Sequence, residues 1–177
     1  MPGKKEATYV NNDNQVKKVN IPSEFTKIGE NAFLGCSSLQ TVTIPDSVTE
    51  IGKCAFSNCK SLINITIPDS VKKIGENAFL RCSSLQTVTI PDGVKKIGEN
   101  AFLGCSSLSN VLIPSSVIEI DDYAFSCCKS LSKLLIPNSV IRIGRGAFSG
   151  CESFTNITIP KNITEIYDYT FSYCKSL

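Results

Sequence analysis

An isoleucine returns every 23 residues along this chain, at Ile28, Ile51, Ile74, Ile97, Ile120, Ile143 and Ile166, without one slip of register. Self-similarity at such a period marks a repeat architecture, in which each unit is a single module stacked on the next. With the isoleucine as position 1, position 6 is Phe33, Phe56, Phe79, Phe102, Phe125, Phe148 and Phe171. Position 9 is Cys36, Cys59, Cys82, Cys105, Cys128, Cys151 and Cys174. Position 12 is Leu39, Leu62, Leu85, Leu108, Leu131, Phe154 and Leu177, and position 17 is Ile44, Ile67, Ile90, Ile113, Ile136 and Ile159, each followed by Pro.

Within a unit the apolar spacing changes from i, i+1, i+4 at Ala32, Phe33 and Cys36 to two at Val42 and Ile44. The first spacing predicts one or two helical turns over residues 30–35, and the second a short β-branched strand over residues 40–44, ended by Pro45. Val48 and Ile51 then return the chain to the core. Positions 1, 5, 6, 9, 12, 15, 17 and 21 point inward. They are too few to close a core in one unit, so neighbours must supply the rest. The parse is a polar lead or cap over 1–15, then a solenoid over 16–177: a half repeat at 16–27, six full repeats at 28–165 and a half repeat at 166–177, with seven strands.

Composition removes several classes of chemistry. The chain has no His and no Trp, which excludes His-based acid/base pairs, His-dependent nucleophiles and His-containing zinc sites. A net charge of +2 lacks the basic excess that draws proteins to nucleic acid or anionic membranes. No apolar run is long enough to insert in a membrane, and the first residues lack the apolar core of a signal peptide. Carboxylate chemistry among Glu30, Glu76, Glu99 and Asp122 is set aside, because these residues form a solvated column. The expectation is a non-enzymatic protein without cofactor or metal.

The Leu-x-x-Val-x-Ile pattern at positions 12, 15 and 17 is a leucine-rich-repeat core, with Ser47, Ser70, Gly93, Ser116, Ser139 and Asn162 at the place of the usual Asn. Together with Ile-Gly-x-x-Ala-Phe-x-x-Cys-x-Ser-Leu and Ile-Pro-Asp-Ser-Val, this closely resembles the BspA-like leucine-rich repeat family, over residues 16–177. The resemblance implies an α/β repeat solenoid, right-handed, with one parallel sheet on the concave face and short helical turns opposite. It also implies a surface or adhesion-type protein, without catalytic activity, at the cell surface or outside the cell. The chain as given displays no signal peptide or anchor, which leaves a cytoplasmic location open.

Seven thiols at position 9 share the buried face with the phenylalanines, and the reading is an apolar core ladder. Collinear sulfurs without a C-x-x-C pair do not make a tetrahedral zinc site. Cys54 and Cys127 lie off that ladder, three repeats apart, and at about 4.8 Å rise per unit they cannot bridge one another. On the strands, positions 14 and 16 must face away from the core. The candidate binding face is therefore Thr41, Thr43, Asn64, Thr66, Thr87, Thr89, Asn110, Leu112, Lys133, Leu135, Asn156 and Thr158, offered to a protein or glycan partner. Thr-x-Thr rows also suit ice binding, but two of the six rows lose both threonines. Lys72, Lys73, Lys95 and Lys96 form a basic edge, partly neutralised by Glu76 and Glu99 three residues after Lys73 and Lys96. Asn64, Asn156 and Asn162 begin Asn-Ile-Thr sequons, relevant only in a secretory pathway.

Residues 17–27 match positions 13–23, and residues 166–177 match positions 1–12, so the two halves sum to one repeat. A second expectation follows: copies associate head to tail through Val19, Ile21 and Phe25 at one end and Ile157, Ile159, Ile166, Phe171 and Leu177 at the other. Such a heterologous contact gives oligomers or filaments if it does not close. In the competing expectations, residues 1–15 fold over the first strand as a cap while the last half-turn frays, or the chain is part of a longer protein. The two functional classes are thus a binding or adhesion module, and a structural protein that partners itself.

Overall fold

A computed structural model of the protein describes residues 5–7 and 16–177, residues 5–7 by their backbone alone. Its strands, in chain order, are β1 (Lys5–Ala7), β2 (Lys18–Asn20), β3 (Phe25–Ile28), β4 (Thr41–Thr43), β5 (Glu50–Ile51), β6 (Asn64–Thr66), β7 (Lys73–Ile74), β8 (Thr87–Thr89), β9 (Lys96–Ile97), β10 (Asn110–Leu112), β11 (Glu119–Ile120) and β12 (Arg142–Ile143). They form two parallel sheets rather than one. The first runs β2-β4-β6-β8-β10 and the second β1-β3-β5-β7-β9-β11-β12. Pairing follows the repeat: Val42 lies opposite Val19 and Ile65, and Ile51 opposite Ile28 and Ile74. The sequence does not announce the second sheet, because its strands from β5 to β12 are only two residues long, too short to show a period of two.

The expected helical turns are absent; no helix occurs among the described residues, and the α/β assignment gives way to a parallel β-solenoid. Position 4 (Asn31, Cys54, Asn77, Asn100, Tyr123, Gly146, Tyr169) and position 8 (Gly35, Asn58, Arg81, Gly104, Cys127, Gly150, Tyr173) have positive φ in every unit. Two left-handed residues four apart forbid a continuous right-handed helix. The amides therefore turn along the solenoid axis instead of back along the chain. The N–H groups of Asn31, Phe33 and Gly35 donate to the carbonyls of Lys53, Ala55 and Ser57 one unit on, at 2.9, 2.7 and 2.7 Å. The same three bonds recur at each step, ending with Gly146, Phe148 and Gly150 donating to Asp168, Thr170 and Ser172. This turn ladder is a third rail of backbone hydrogen bonds beside the two sheets.

The core is a set of columns. Phe33, Phe56, Phe79, Phe102, Phe125 and Phe148 stack with ring centroids 5.1–5.8 Å apart and planes within 7° of parallel, and Phe171 extends the stack. The aliphatic columns at positions 1, 12 and 21 are fully or nearly fully buried from Ile28 to Ile143, and Phe154 continues the position-12 column as a buried aromatic ring. At roughly 1.5–3 kcal/mol for each large side chain, burial across units is the main stabilising term. Cys59, Cys82, Cys105, Cys128, Cys151 and Cys174 each donate an S–H bond of 3.1–3.3 Å to the carbonyl of the Phe 26 residues earlier. A further column comes from Ser47, Ser70, Ser116 and Ser139, whose hydroxyls donate to the carbonyls of Phe25, Val48, Val94 and Val117 in the preceding unit.

The first sheet stops at β10. Residues 132–136 and 155–159 are not strands, although their spacing predicts strands there. Asn156-Ile157-Thr158 has the same sequence as β6, so its state reflects its neighbours and not its own propensity. The coil before it carries Lys-Leu-Leu in place of the β-branched Thr-Val-Thr, and with no ladder at residues 133–135 the next coil has nothing to pair with. Leu134 and Ile136 stay buried nonetheless, so the core runs on where the ladder ends.

Candidate functional site

The pleat of the first sheet decides which side chains can meet a partner. In β4, β6, β8 and β10 the middle residue is buried and the flanking residues are exposed. All twelve residues expected on the outward face, Thr41, Thr43, Asn64, Thr66, Thr87, Thr89, Asn110, Leu112, Lys133, Leu135, Asn156 and Thr158, are exposed. β2 adds a row beyond those twelve, with Lys18 and Asn20 exposed on either side of Val19. The register that places Val19 opposite Val42 is the signal that would have found it.

Part of this face is hollow. A depression of about 410 Å³ lies elsewhere on the surface, at the lysine edge, and a larger one of about 510 Å³ opens over β6 and β8. Asn64, Thr66, Thr87 and Thr89 line the larger one, and Asp46 and Asp69 border it. Both aspartates follow the strand-ending prolines in the Ile-Pro-Asp segments, and the same turn geometry brings them to the rim. Across the floor the Thr87 hydroxyl sits 3.4 Å from the Asn64 amide oxygen. The hollow thus offers hydroxyls, an amide and two carboxylates over an apolar underlay, suited to hydrogen bonding from a polar chain.

Next to it the character changes. Leu112 is 61% exposed and Leu135 81%, in adjacent coils where the ladder stops. Asn64, Asn156 and Asn162 are all exposed, and Asn162 donates from its side-chain amide to the Asn138 carbonyl at 2.9 Å.

The lysine edge is organised differently from the expectation. Lys73 pairs with Glu50 at 2.9 Å, and Glu76 with Lys53 at 2.9 Å, so charges meet between units instead of within one. Lys96 reaches Glu119 and Asp121 at 3.3 and 2.9 Å. Lys72 donates to the carbonyls of Asp69 and Asp92. The Lys73 hydrogen bond holds the Glu50 carboxyl below its usual range. Burial pushes Asp121 up, but Lys96 and Arg142 outweigh it and the net direction is down.

Of the residues expected at the ends, Ile21 is buried, at 6% exposed. Val19, Phe25, Ile157, Ile159 and Phe171 are partly buried, while Ile166 and Leu177 are 59% and 54% exposed. On the second sheet β1 pairs with β3, Ala7 lying opposite Ile28. The rest of the 1–15 segment, expected as a lead or cap, lies outside the described residues.

The model of the BspA type Leucine rich repeat region matches residues 6–132 and 73–177, in six copies. Among solved structures, the chain is 38% identical to a leucine-rich repeat protein of T. pallidum, with a TM-score of 0.75, over 78% of this chain and 64% of that one. It is 37% identical to a leucine-rich repeat protein of Bacteroides ovatus, with a TM-score of 0.68, over 84% of this chain and 44% of that one. A leucine-rich cell surface protein of Faecalibacterium prausnitzii is 26% identical, with a TM-score of 0.51, over 92% of this chain and 80% of its own. The chain thus spans less than two thirds of the first two relatives. No curated protein matches it. The repeat that sets the sequence period, the columns it builds and the match along the chain agree: the protein belongs to the BspA-type leucine-rich repeat family.

Proposed function

We propose that this protein is a binding module whose outward Thr/Asn face, with Leu112 and Leu135 beside it, captures a polypeptide partner at the cell surface. Proteins of this repeat family are generally non-enzymatic binding or adhesion modules. The observation that carries the reading is the juxtaposition of a polar hollow at Asn64, Thr66, Thr87 and Thr89 with an exposed leucine pair on the same face. Apolar anchors beside adaptable hydrogen-bonding groups are what a protein interface requires, and a glycan would have less use for two bare leucines. The surface location rests on the cell surface protein of Faecalibacterium prausnitzii, similar along nearly the whole chain. No helix among the described residues is long and apolar enough to cross a membrane.

Panels of purified ectodomains and of glycans, each tested by biolayer interferometry, separate the partner classes. Leu112→Asp with Leu135→Asp is expected to lower affinity for a protein partner at least tenfold while leaving the melting temperature within about 2 °C, since both side chains are exposed. Unchanged affinity, or binding confined to the glycan panel, would remove the leucine pair from the function.

Self-association is the second reading. It is favoured by the bare Ile166 and Leu177 at one end of the solenoid, and by the match of residues 166–177 and 17–27 to complementary parts of one repeat. Concentration-dependent light scattering tests it, and a monomer throughout would end it.

A further inference from the structure

Two columns of the repeat change character together, in the same two units. Position 16 is Thr43, Thr66 and Thr89, then Leu112 and Leu135, then Thr158. Position 22 is Thr49, Lys72 and Lys95, then Ile118 and Ile141, then Thr164. All four aliphatic side chains are exposed, the isoleucines at 42% and 58%. Ile118 and Ile141 are neighbouring rungs, the Ile141 N–H donating to the Ile118 carbonyl at 2.9 Å.

Positions 16 and 22 flank one turn. From one side, the Lys72 ammonium at position 22 reaches the carbonyls of Asp69 and Asp92 at position 19, at 2.7 and 3.1 Å. From the other, Thr66 and Thr89 at position 16 share the hollow of the first sheet with Asp46 and Asp69. The turn is thus a divide: the hollow has no lysine in its described lining, while Lys72, Lys73, Lys95 and Lys96 line the depression of the second sheet. Where the four aliphatics stand, the turn also loses its carboxylate, since Asp46, Asp69 and Asp92 give way to Ser115 and Asn138. The result is an apolar saddle, uncharged at positions 16, 19 and 22, and a contiguous exposed patch of this kind marks an interaction site. It runs directly into the hollow, Leu112 lying opposite Thr89. On the second sheet Glu50, Glu76 and Asp121 are each paired with a lysine. The carboxylates of Asp46, Asp69 and Asp92 make no ion pair among the described residues, so the hollow beside the saddle offers uncompensated negative charge.

We infer that the polypeptide captured by this face is an extended segment that sets bulky apolar side chains astride the turn, against Leu112, Leu135, Ile118 and Ile141, and Lys or Arg side chains in the hollow, beside Asp46 and Asp69. The inference rests on the binding-face reading and names the chemistry of its partner; charge complementarity selects a basic segment over an acidic one. Spacing sets its pattern. Coils repeat at about 4.8 Å and an extended chain advances about 3.3 Å per residue, so the cations fall about three to four residues from the apolar anchor.

A random dodecapeptide library displayed on phage, panned on the immobilised full chain, tests this. The variants install residues that the repeat carries at the same positions elsewhere: Ile118→Thr with Ile141→Thr, as at Thr49; Leu112→Thr with Leu135→Thr, as at Thr43; Asp46→Lys with Asp69→Lys, as at Lys161. Circular dichroism checks each fold. The wild-type chain is expected to enrich peptides with Lys or Arg three or four residues from Leu, Ile, Phe or Trp. An enriched peptide, synthesised free and followed by fluorescence anisotropy, is expected to lose at least tenfold in affinity on the isoleucine variant and on the aspartate variant. Peptides that lack basic residues, or that respond to the leucine variant but ignore either of the other two, keep the binding face and overturn the inference. Peptides indifferent to the leucines as well, or no enrichment over bare support, remove both. Isoleucine-dependent flotation with vesicles of equal parts phosphatidylcholine and phosphatidylserine would assign the saddle to a lipid surface and overturn the inference as well.

Discussion

Asn31, Asn77 and Asn100 hold φ between 54° and 59° at position 4, where every unit is left-handed. Asparagine tolerates this region better than other side chains, glycine does so freely, and a β-branched residue is strongly disfavoured. Asn77→Gly is therefore expected to leave stability within about 0.5 kcal/mol, while Asn77→Val costs about 1–2 kcal/mol, read from urea unfolding. Equal losses would mean that the Asn side chain matters for another reason. The same position explains why the turns resist reading from sequence. Ala32, Phe33 and Cys36 carry a helical spacing, and only the recurrence of Asn or Gly at positions 4 and 8 betrays the left-handed backbone. Cys54, Arg81, Tyr123, Cys127, Tyr169 and Tyr173 hide that recurrence by occupying the same positions.

At the level of elements, the strands at positions 14–16 were legible because Thr-Val-Thr alternates, and the outward face followed from them. The two-residue strands were illegible, since a pair such as Glu50–Ile51 has no alternation to detect. What marks them is charge between units. Arg142 bonds Asp121 at 2.7 Å and Asp122 at 2.9 Å, and Lys96 shares Asp121 from the other side. Since Glu50 and Asp121 are held below their unfolded values, they add stability at neutral pH that is lost as the pH falls through the folded pKa, beginning below about pH 4. Arg142→Ala is expected to cost about 1 kcal/mol at pH 7, a modest figure because solvent screens these pairs, and progressively less toward pH 2 as Asp121 takes up a proton. Thermal melts across that range check it; a cost independent of pH would assign the loss to the Arg142 guanidinium lying over the Tyr167 ring instead.

Across the whole molecule, nearly every contact is made with the unit before or after, so stability is a sum of units and interfaces. The sequence allows a direct trial. Lys73 precedes Ile74, and Lys96 precedes Ile97, with Val-Lys-Lys before both. Excising residues 74–96 therefore reproduces the native junction and is expected to leave a folded, shorter solenoid with a lower melting temperature. Excising residues 74–93 instead leaves three extra residues at the junction and is expected to lower the melting temperature further, because the columns are out of step there unless the three residues bulge outward. If both shortened chains melt alike, register is not what holds the coils. The sequence period revealed this scale most fully, while the break in the first sheet after β10 was invisible because Asn156-Ile157-Thr158 reads as a strand on its own.

The column of thiols gives the solenoid an internal clock. Burial pushes Cys105 up to about 12, and the other core cysteines in the same direction, so none can be alkylated at neutral pH until its own coil opens. One such group stands in each unit, fully buried from Cys59 to Cys151 and half-covered at Cys36 and Cys174. The order in which the sulfurs are labelled in a native sample would record where the chain unzips, from the half-covered Cys36 and Cys174 inward, coil by coil.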